Sequence, residues 1–116
     1  METTKGKISM GRRIIWSESF HRSIEEYLIY SHGFYSRNTL NSLLDGIKHC
    51  EGMLKGNPLM GGTEYILGTV EFRRLLIKPY FKLIYFISGN DVILSCIWDT
   101  RRNPETLRTN LLGNIL

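Results

Sequence analysis

Cysteine is scarce in this chain: Cys50 and Cys96 are the only two among 116 residues. Two thiols so far apart supply neither a disulfide framework nor a multi-ligand metal site. Both sit inside apolar patterns, where a reduced, buried thiol is the expected state. Long uncharged apolar runs are also missing, so no membrane span is expected. Met1–Gly11 is polar and basic and lacks the apolar centre of a secretory signal. These features lead to the expectation of a cytoplasmic protein. No stretch ends in Gly-Lys-Ser/Thr, so the Gly-rich segment Met60–Gly68 is not a phosphate-binding loop. There is no internal repeat and no low-complexity tract. Nothing calls for a metal or another cofactor.

What remains has the make-up of a soluble folded domain, with 42% hydrophobic and 22% charged residues. A chain of 116 residues accommodates one modest core. The expected division is a flexible leader over residues 1–11 and a single domain over 12–112. The net charge of +4 and pI near 9.2 permit nucleic acid or an acidic protein as partner, without choosing between them.

Arg12–Trp16 (RRIIW) reads as a short strand. Ser17 can cap a helix from Glu18, whose Phe20, Ile24, Tyr27 and Leu28 form one apolar stripe before His32-Gly33 ends it. Ser36 can cap a second helix with a buried face of Leu40, Leu43, Leu44, Ile47, Cys50 and Leu54. Gly56 and Pro58 stop that helix. Met60–Gly68 reads as a loop with a few extended residues around Tyr65–Leu67. Three apolar runs follow, Val70–Lys78, Phe81–Ser88 and Asp91–Asp99, joined by turns at Pro79-Tyr80 and Gly89-Asn90. Gly first in a two-residue loop suits a type II′ hairpin. Pro104 then opens a helix over Glu105–Leu112. The expected fold is α+β: an N-terminal strand, a two-helix hairpin, a three-stranded antiparallel meander and a short C-terminal helix.

Counting outward from Gly89-Asn90 pairs Ile87 with Val92, Tyr85 with Leu94, Leu83 with Cys96 and Phe81 with Trp98 on one face. The other face pairs Phe86 with Ile93, Ile84 with Ser95 and Lys82 with Ile97. A two-residue turn at Pro79-Tyr80 adds Arg73, Leu75 and Ile77 to that second face. Two helices can cover one face of so small a sheet. The other is either a mixed apolar and basic binding surface or is covered by the loop Asn57–Gly68 and the C-terminal helix. The pattern favours a partner.

The run Phe72-Arg73-Arg74-Leu75-Leu76-Ile77, then Tyr80-Phe81-Lys82-Leu83-Ile84-Tyr85, then Val92-Ile93-Leu94 and Asp99-Thr100-Arg101-Arg102-Asn103-Pro104, resembles the RelE/ParE family. These are toxins of type II toxin–antitoxin systems, also described as plasmid stabilisation system proteins. By order of elements the resemblance spans Arg12 to Leu112. It implies a toxin that inhibits growth and is neutralised by a cognate antitoxin, which would cover Leu75, Ile84 and Phe86 and pair with the basic side chains. It also implies one of two targets. RelE-like members cut messenger RNA on the ribosome without metal, using basic side chains around the phosphate and a Tyr or His near the C-terminus. ParE-like members poison DNA gyrase as binding proteins.

Lys82 stands where the family's hairpin arginine stands. Arg73, Arg101 and Arg102 are the other candidates for a phosphate-lining or catalytic set. The expected target- or antitoxin-binding set is Arg73, Leu75, Ile77, Lys82, Ile84, Phe86, Arg101 and Arg102. After Trp98 there is no His or Tyr, so the proton-transfer residue of an RNase is missing and the resemblance points to a ParE-like binding toxin. The alternatives are a RelE-like, ribosome-dependent mRNA endonuclease and a degenerate, non-toxic relative that only binds a partner. His21, His32 and His49 read as surface residues and Glu25-Glu26 as a solvated helix face. Trp16 and Trp98 read as packing residues. Arg73, Arg74, Lys78 and Lys82 suit phosphate contacts but carry no base-reading pattern.

Overall fold

The computed structural model describes residues 12–115, so the expected leader over 1–11 lies outside the described residues. The elements are β1 (Arg13–Trp16), α1 (Glu18–Leu28), α2 (Arg37–Gly56), β2 (Gly62–Leu67), β3 (Val70–Ile77), β4 (Phe81–Ser88), β5 (Asp91–Asp99) and α3 (Pro104–Ile115). Both helix starts form as their serines predict. Ser17 Oγ accepts the Phe20 N–H at 3.1 Å and Ser36 Oγ accepts that of Thr39 at 3.1 Å.

The sheet is five-stranded in the order β1-β5-β4-β3-β2, with β1 parallel to β5 and the other pairs antiparallel. The fold class is α+β as expected, with one strand more than the meander. The segment read as a loop, Met60–Gly68, contains β2, which turns back onto β3 through Gly68 at φ 64. Its pattern is obscured because a bulge at Glu64 interrupts the alternation.

The β4–β5 hairpin begins as counted, with Ile87 opposite Val92, Phe86 opposite Ile93 and Tyr85 opposite Leu94. Gly89 has φ 61, the positive value a type II′ turn needs at its first position. Beyond Leu94 the count fails. Ser95 is bulged out, and the pairs become Ile84 with Cys96, Leu83 with Ile97, Lys82 with Trp98 and Phe81 with Asp99. The bulged Ser95 carbonyl is held by Ser19 Oγ at 2.7 Å and, more loosely, by Ser17 Oγ at 3.4 Å. The start of α1 thus secures the irregularity.

The other turn holds three residues, Lys78 to Tyr80, because Ile77 pairs with Phe81. One extra residue exchanges the two faces of β3. Arg73, Leu75 and Ile77 therefore lie on the helix side, and Arg74 and Leu76 share the second face with Lys82. Ile77 is buried against α2, where a Cβ on Gly46 would run into its Cγ2.

Two cores result. On the helix side Phe20, Tyr27, Leu43, Ile47 and Leu54 pack onto Ile77, Phe81, Leu83, Tyr85, Leu94 and Ile97. On the second face Phe72, Ile84, Cys96 and Trp98 are covered by Leu107 and Leu111 of α3. The reading of that face as left open for a partner is corrected: the C-terminal helix covers its centre, and Leu76 stays exposed beyond it. The helical stripes are also narrower than the periodicity indicates, since Leu28 and Leu44 are exposed.

Candidate binding surface

β1 pairs with Asp91–Leu94, and among the described residues no strand lies beside the rest of the β5 edge. Side chains one helical turn apart on α1 take its place. Ser19 Oγ donates to the Ser95 carbonyl, and Ser23 Oγ accepts the Ile97 N–H at 3.0 Å. The Tyr27 hydroxyl accepts the Asp99 N–H at 3.0 Å and donates to the Ile97 carbonyl at 3.3 Å. The spacing Ser-x-x-x-Ser-x-x-x-Tyr puts all three on one side of the helix. At the opposite edge β2 carries the Glu64 bulge, and the Glu64 carboxylate turns inward beside Lys82 and, at 3.4 Å, Arg74. A bulge and an inward charge are ordinary ways of blocking strand addition.

At the end of β5, Asp99 is buried and accepts four hydrogen bonds. They come from the Tyr35 hydroxyl (2.7 Å), Arg101 Nε (3.0 Å), Arg101 NH2 (2.7 Å) and the Arg101 N–H (2.9 Å). Burial raises its pKa, but the bonds from Arg101 and Tyr35 prevail and hold the carboxyl below its usual range. Burial, then the hydrogen bond it donates to the Asp99 carboxylate, pushes the Tyr35 phenol well above the tyrosine range. The Arg101 Cζ lies over the Tyr80 ring, 3.6 Å from its centroid, and 5.8 Å from that of Phe34. Arg102 lies over Trp98 at 4.2 Å, with Glu26 Oε1 3.5 Å from NH1.

The four candidate cations are not brought together. Arg73 is on the helix side, donating to the carbonyls of Leu59 (3.1 Å) and Gly61 (2.6 Å), with Glu71 at 3.3 Å. It works with Tyr85, whose hydroxyl donates to the Pro58 carbonyl at 2.8 Å and accepts the Gly61 N–H at 3.0 Å, to pin the loop before β2. Gly61 is required there, because a Cβ would sit 2.5 Å from the Arg74 carbonyl oxygen. Lys82 is on the other face, paired with Glu64. Arg101 and Arg102 bracket the end of β5.

The apolar candidates also separate. Leu75 and Ile77 belong to the helix-side core, Ile84 is fully buried beneath α3, and Phe86 is half-buried edge-on to Phe72. The expected single face of Arg73, Leu75, Ile77, Lys82, Ile84 and Phe86 therefore does not exist, because the longer turn and α3 divide it. His21, His32 and His49 are exposed.

The connection between α1 and α2 exposes a cluster of apolar side chains, with Ile29, Tyr30 and Phe34 61%, 64% and 70% accessible; Leu59, Ile66 and Leu76 are exposed elsewhere. Tyr30 and Arg102 also line a groove of about 790 Å³ between α1 and α3, floored by Cys96, Ile97 and Trp98. Sequence reading missed Tyr35, Asp99, Tyr80 and Phe34. The signal available was the aromatic density of Phe34-Tyr35 and Tyr80-Phe81 beside an Asp-x-Arg. Among the described residues no group of His, Cys, Asp and Glu is placed to hold a metal ion, and no helix is long and apolar enough to cross a membrane.

No protein-family model matches the chain, and no curated protein matches it. Solved structures do. One is the chromosomal ParDE TA system from P. aeruginosa, with a TM-score of 0.52 at 14% identity over 73% of this chain and 91% of that one. Another is the solution structure of the conserved hypothetical protein HP0894 from Helicobacter pylori, with a TM-score of 0.52 at 17% identity over 79% and 98%. The likeness is one of fold: strand, helical hairpin and antiparallel sheet are arranged as in these two structures.

Proposed function

We propose that this chain of RelE/ParE fold is the toxin of a type II toxin–antitoxin pair, acting in the cytoplasm by binding a protein target. By family precedent the target is DNA gyrase, and a cognate antitoxin neutralises the toxin. One observation carries the choice of binding over cutting. Each of Arg73, Lys82, Arg101 and Arg102 is engaged by a carboxylate or by backbone carbonyls. The four are spread over both faces and the end of the sheet, so they do not converge on a site for one phosphate. Phosphodiester cleavage needs preorganised charge at one point and a group that moves a proton near neutral pH. The Tyr35 phenol, the hydroxyl bonded beside Arg101's partner Asp99, has its pKa pushed far above that range.

The antitoxin surface is revised with the geometry. Ile84 is covered by α3 and Leu75 by the helices, so an antitoxin would meet exposed residues such as Leu76, with Arg74 and the half-buried Phe86 at its margins.

Induced expression without an antitoxin tests the proposal. Growth arrest with DNA breaks and an SOS response is the expected outcome. Message cleavage at ribosome-paused codons would replace it with the endonuclease reading, and normal growth would reject both. A short acidic reading frame adjoining the gene is the expected antitoxin source.

A further inference from the structure

The connection between α1 and α2 displays apolar side chains that the core does not use, and it displays them rigidly. The N–H groups of Ile29 and Tyr30 both donate to the Glu25 carbonyl, at 2.8 and 3.3 Å. Ser31 Oγ donates to the Tyr27 carbonyl at 2.8 Å, and the Phe34 N–H donates to the Ser31 carbonyl at 3.0 Å. His32 and Gly33 take positive φ values of 53 and 80, reversing the chain. Tyr35, two residues after Gly33, is bonded to Asp99. The Phe34 ring meets Tyr35 edge-on at 4.9 Å and faces Arg101, while Tyr30 shares its groove with Arg102. Two exposed aromatic rings thus stand beside two consecutive arginines, Phe34 near Arg101 and Tyr30 in the groove that Arg102 lines.

We propose, on the basis of the toxin reading above, that this tip is the docking surface for the protein target. Phe34, Tyr30 and Ile29 enter an apolar pocket of the target, and Arg101 and Arg102 meet carboxylates at its rim. Aromatic residues and arginine dominate the energetics of protein interfaces, and a surface already held in shape loses little freedom on binding. The geometry favours a protein over a nucleic acid. A single-stranded nucleic acid is held by free cations along a groove, whereas Nε and NH2 of Arg101 are occupied by Asp99 and Arg102 has Glu26 beside it. The Arg101 side chain nevertheless stays 50% exposed, so its outer edge can take a partner carboxylate as a rim contact.

The test compares the wild-type chain with Tyr30→Ser/Phe34→Ser for binding to purified DNA gyrase, binding to a mixed-sequence single-stranded RNA, and growth arrest on induction. Ile29→Lys serves as an independent second variant, and thermal melting checks that each remains folded. The expected result is unchanged melting with gyrase binding and growth arrest weakened by about tenfold or more. Undiminished gyrase binding or undiminished arrest by both variants would overturn the surface while leaving the toxin reading intact. RNA binding that the variants lose would overturn it in favour of a nucleic-acid surface. If the wild type arrests growth without binding gyrase, relief of arrest by the variants supports the surface and persistence of arrest overturns it. A wild type that binds neither probe and leaves growth unchanged removes the toxin reading and the surface with it.

Discussion

Replacing Tyr27 by Phe isolates the device that closes the β5 edge. The ring stays, keeping its edge-on contacts with Tyr35 at 5.5 Å and Phe81 at 5.4 Å. Only the hydroxyl goes, and with it the acceptor for the Asp99 N–H and the donor to the Ile97 carbonyl. Both orphaned groups lie on buried residues, so water cannot readily replace the partner. Leaving a buried polar group unpaired costs about 1–3 kcal/mol, and the longer bond to Ile97 contributes at the low end. The variant should therefore lose about 2 kcal/mol, a fall in Tm of roughly 8 °C for a domain of this size. Urea midpoints or calorimetry would read it, and amide exchange at Asp99 should accelerate. Tyr30→Phe, at an exposed ring, is the control and should change little. If Tyr27→Phe melts with the wild type, the side-chain ladder contributes nothing to stability and the account of the edge is wrong.

Three further outcomes follow from the same geometry. Asp99→Asn should cost about 1–3 kcal/mol at pH 7 by weakening charge-assisted bonds from Arg101 and Tyr35. Because the folded pKa of Asp99 is depressed, that stabilisation is present above its unfolded value of about 3.9 and is lost as pH falls through the folded one. The gap between variant and wild type should narrow from pH 7 to pH 3, and an equal gap at both would contradict the assignment. Burial, with the neighbouring Glu51 charge adding to it, raises the Cys50 thiol to about 11; burial raises that of Cys96 to about 12. Neither should react with a thiol reagent at pH 8 until the protein is unfolded, and fast labelling of the native chain would refute the packing. Leu107→Ala should cost about 2–5 kcal/mol, since Leu107 of α3 is fully buried against the second face of the sheet; a variant as stable as wild type would mean that α3 does not cover that face.

Much of the architecture was legible because it rests on local chemistry. Ser17 and Ser36 mark the helix starts, and Asp91–Asp99 and Phe81–Ser88 are the observed strands to the residue. What counting could not reach depends on single insertions. The bulge at Ser95 is paired with α1 serines many residues away, and the third residue of the Lys78–Tyr80 turn exchanges the faces of Arg73 and Arg74. The candidate site suffered most from this, because a site assembled from side-chain faces is only as good as its register. The basic turn at Arg101-Arg102 survived as a feature. Its meaning changed once Asp99, Tyr35, Tyr80 and Glu26 proved to be its partners.

Inhibition by binding is read out by supercoiling of relaxed plasmid by purified DNA gyrase. Adding the chain should stop supercoiling and accumulate cleaved DNA, with Tyr30→Ser/Phe34→Ser the weaker inhibitor. Unimpeded supercoiling at a concentration of the chain that arrests growth in cells would contradict it.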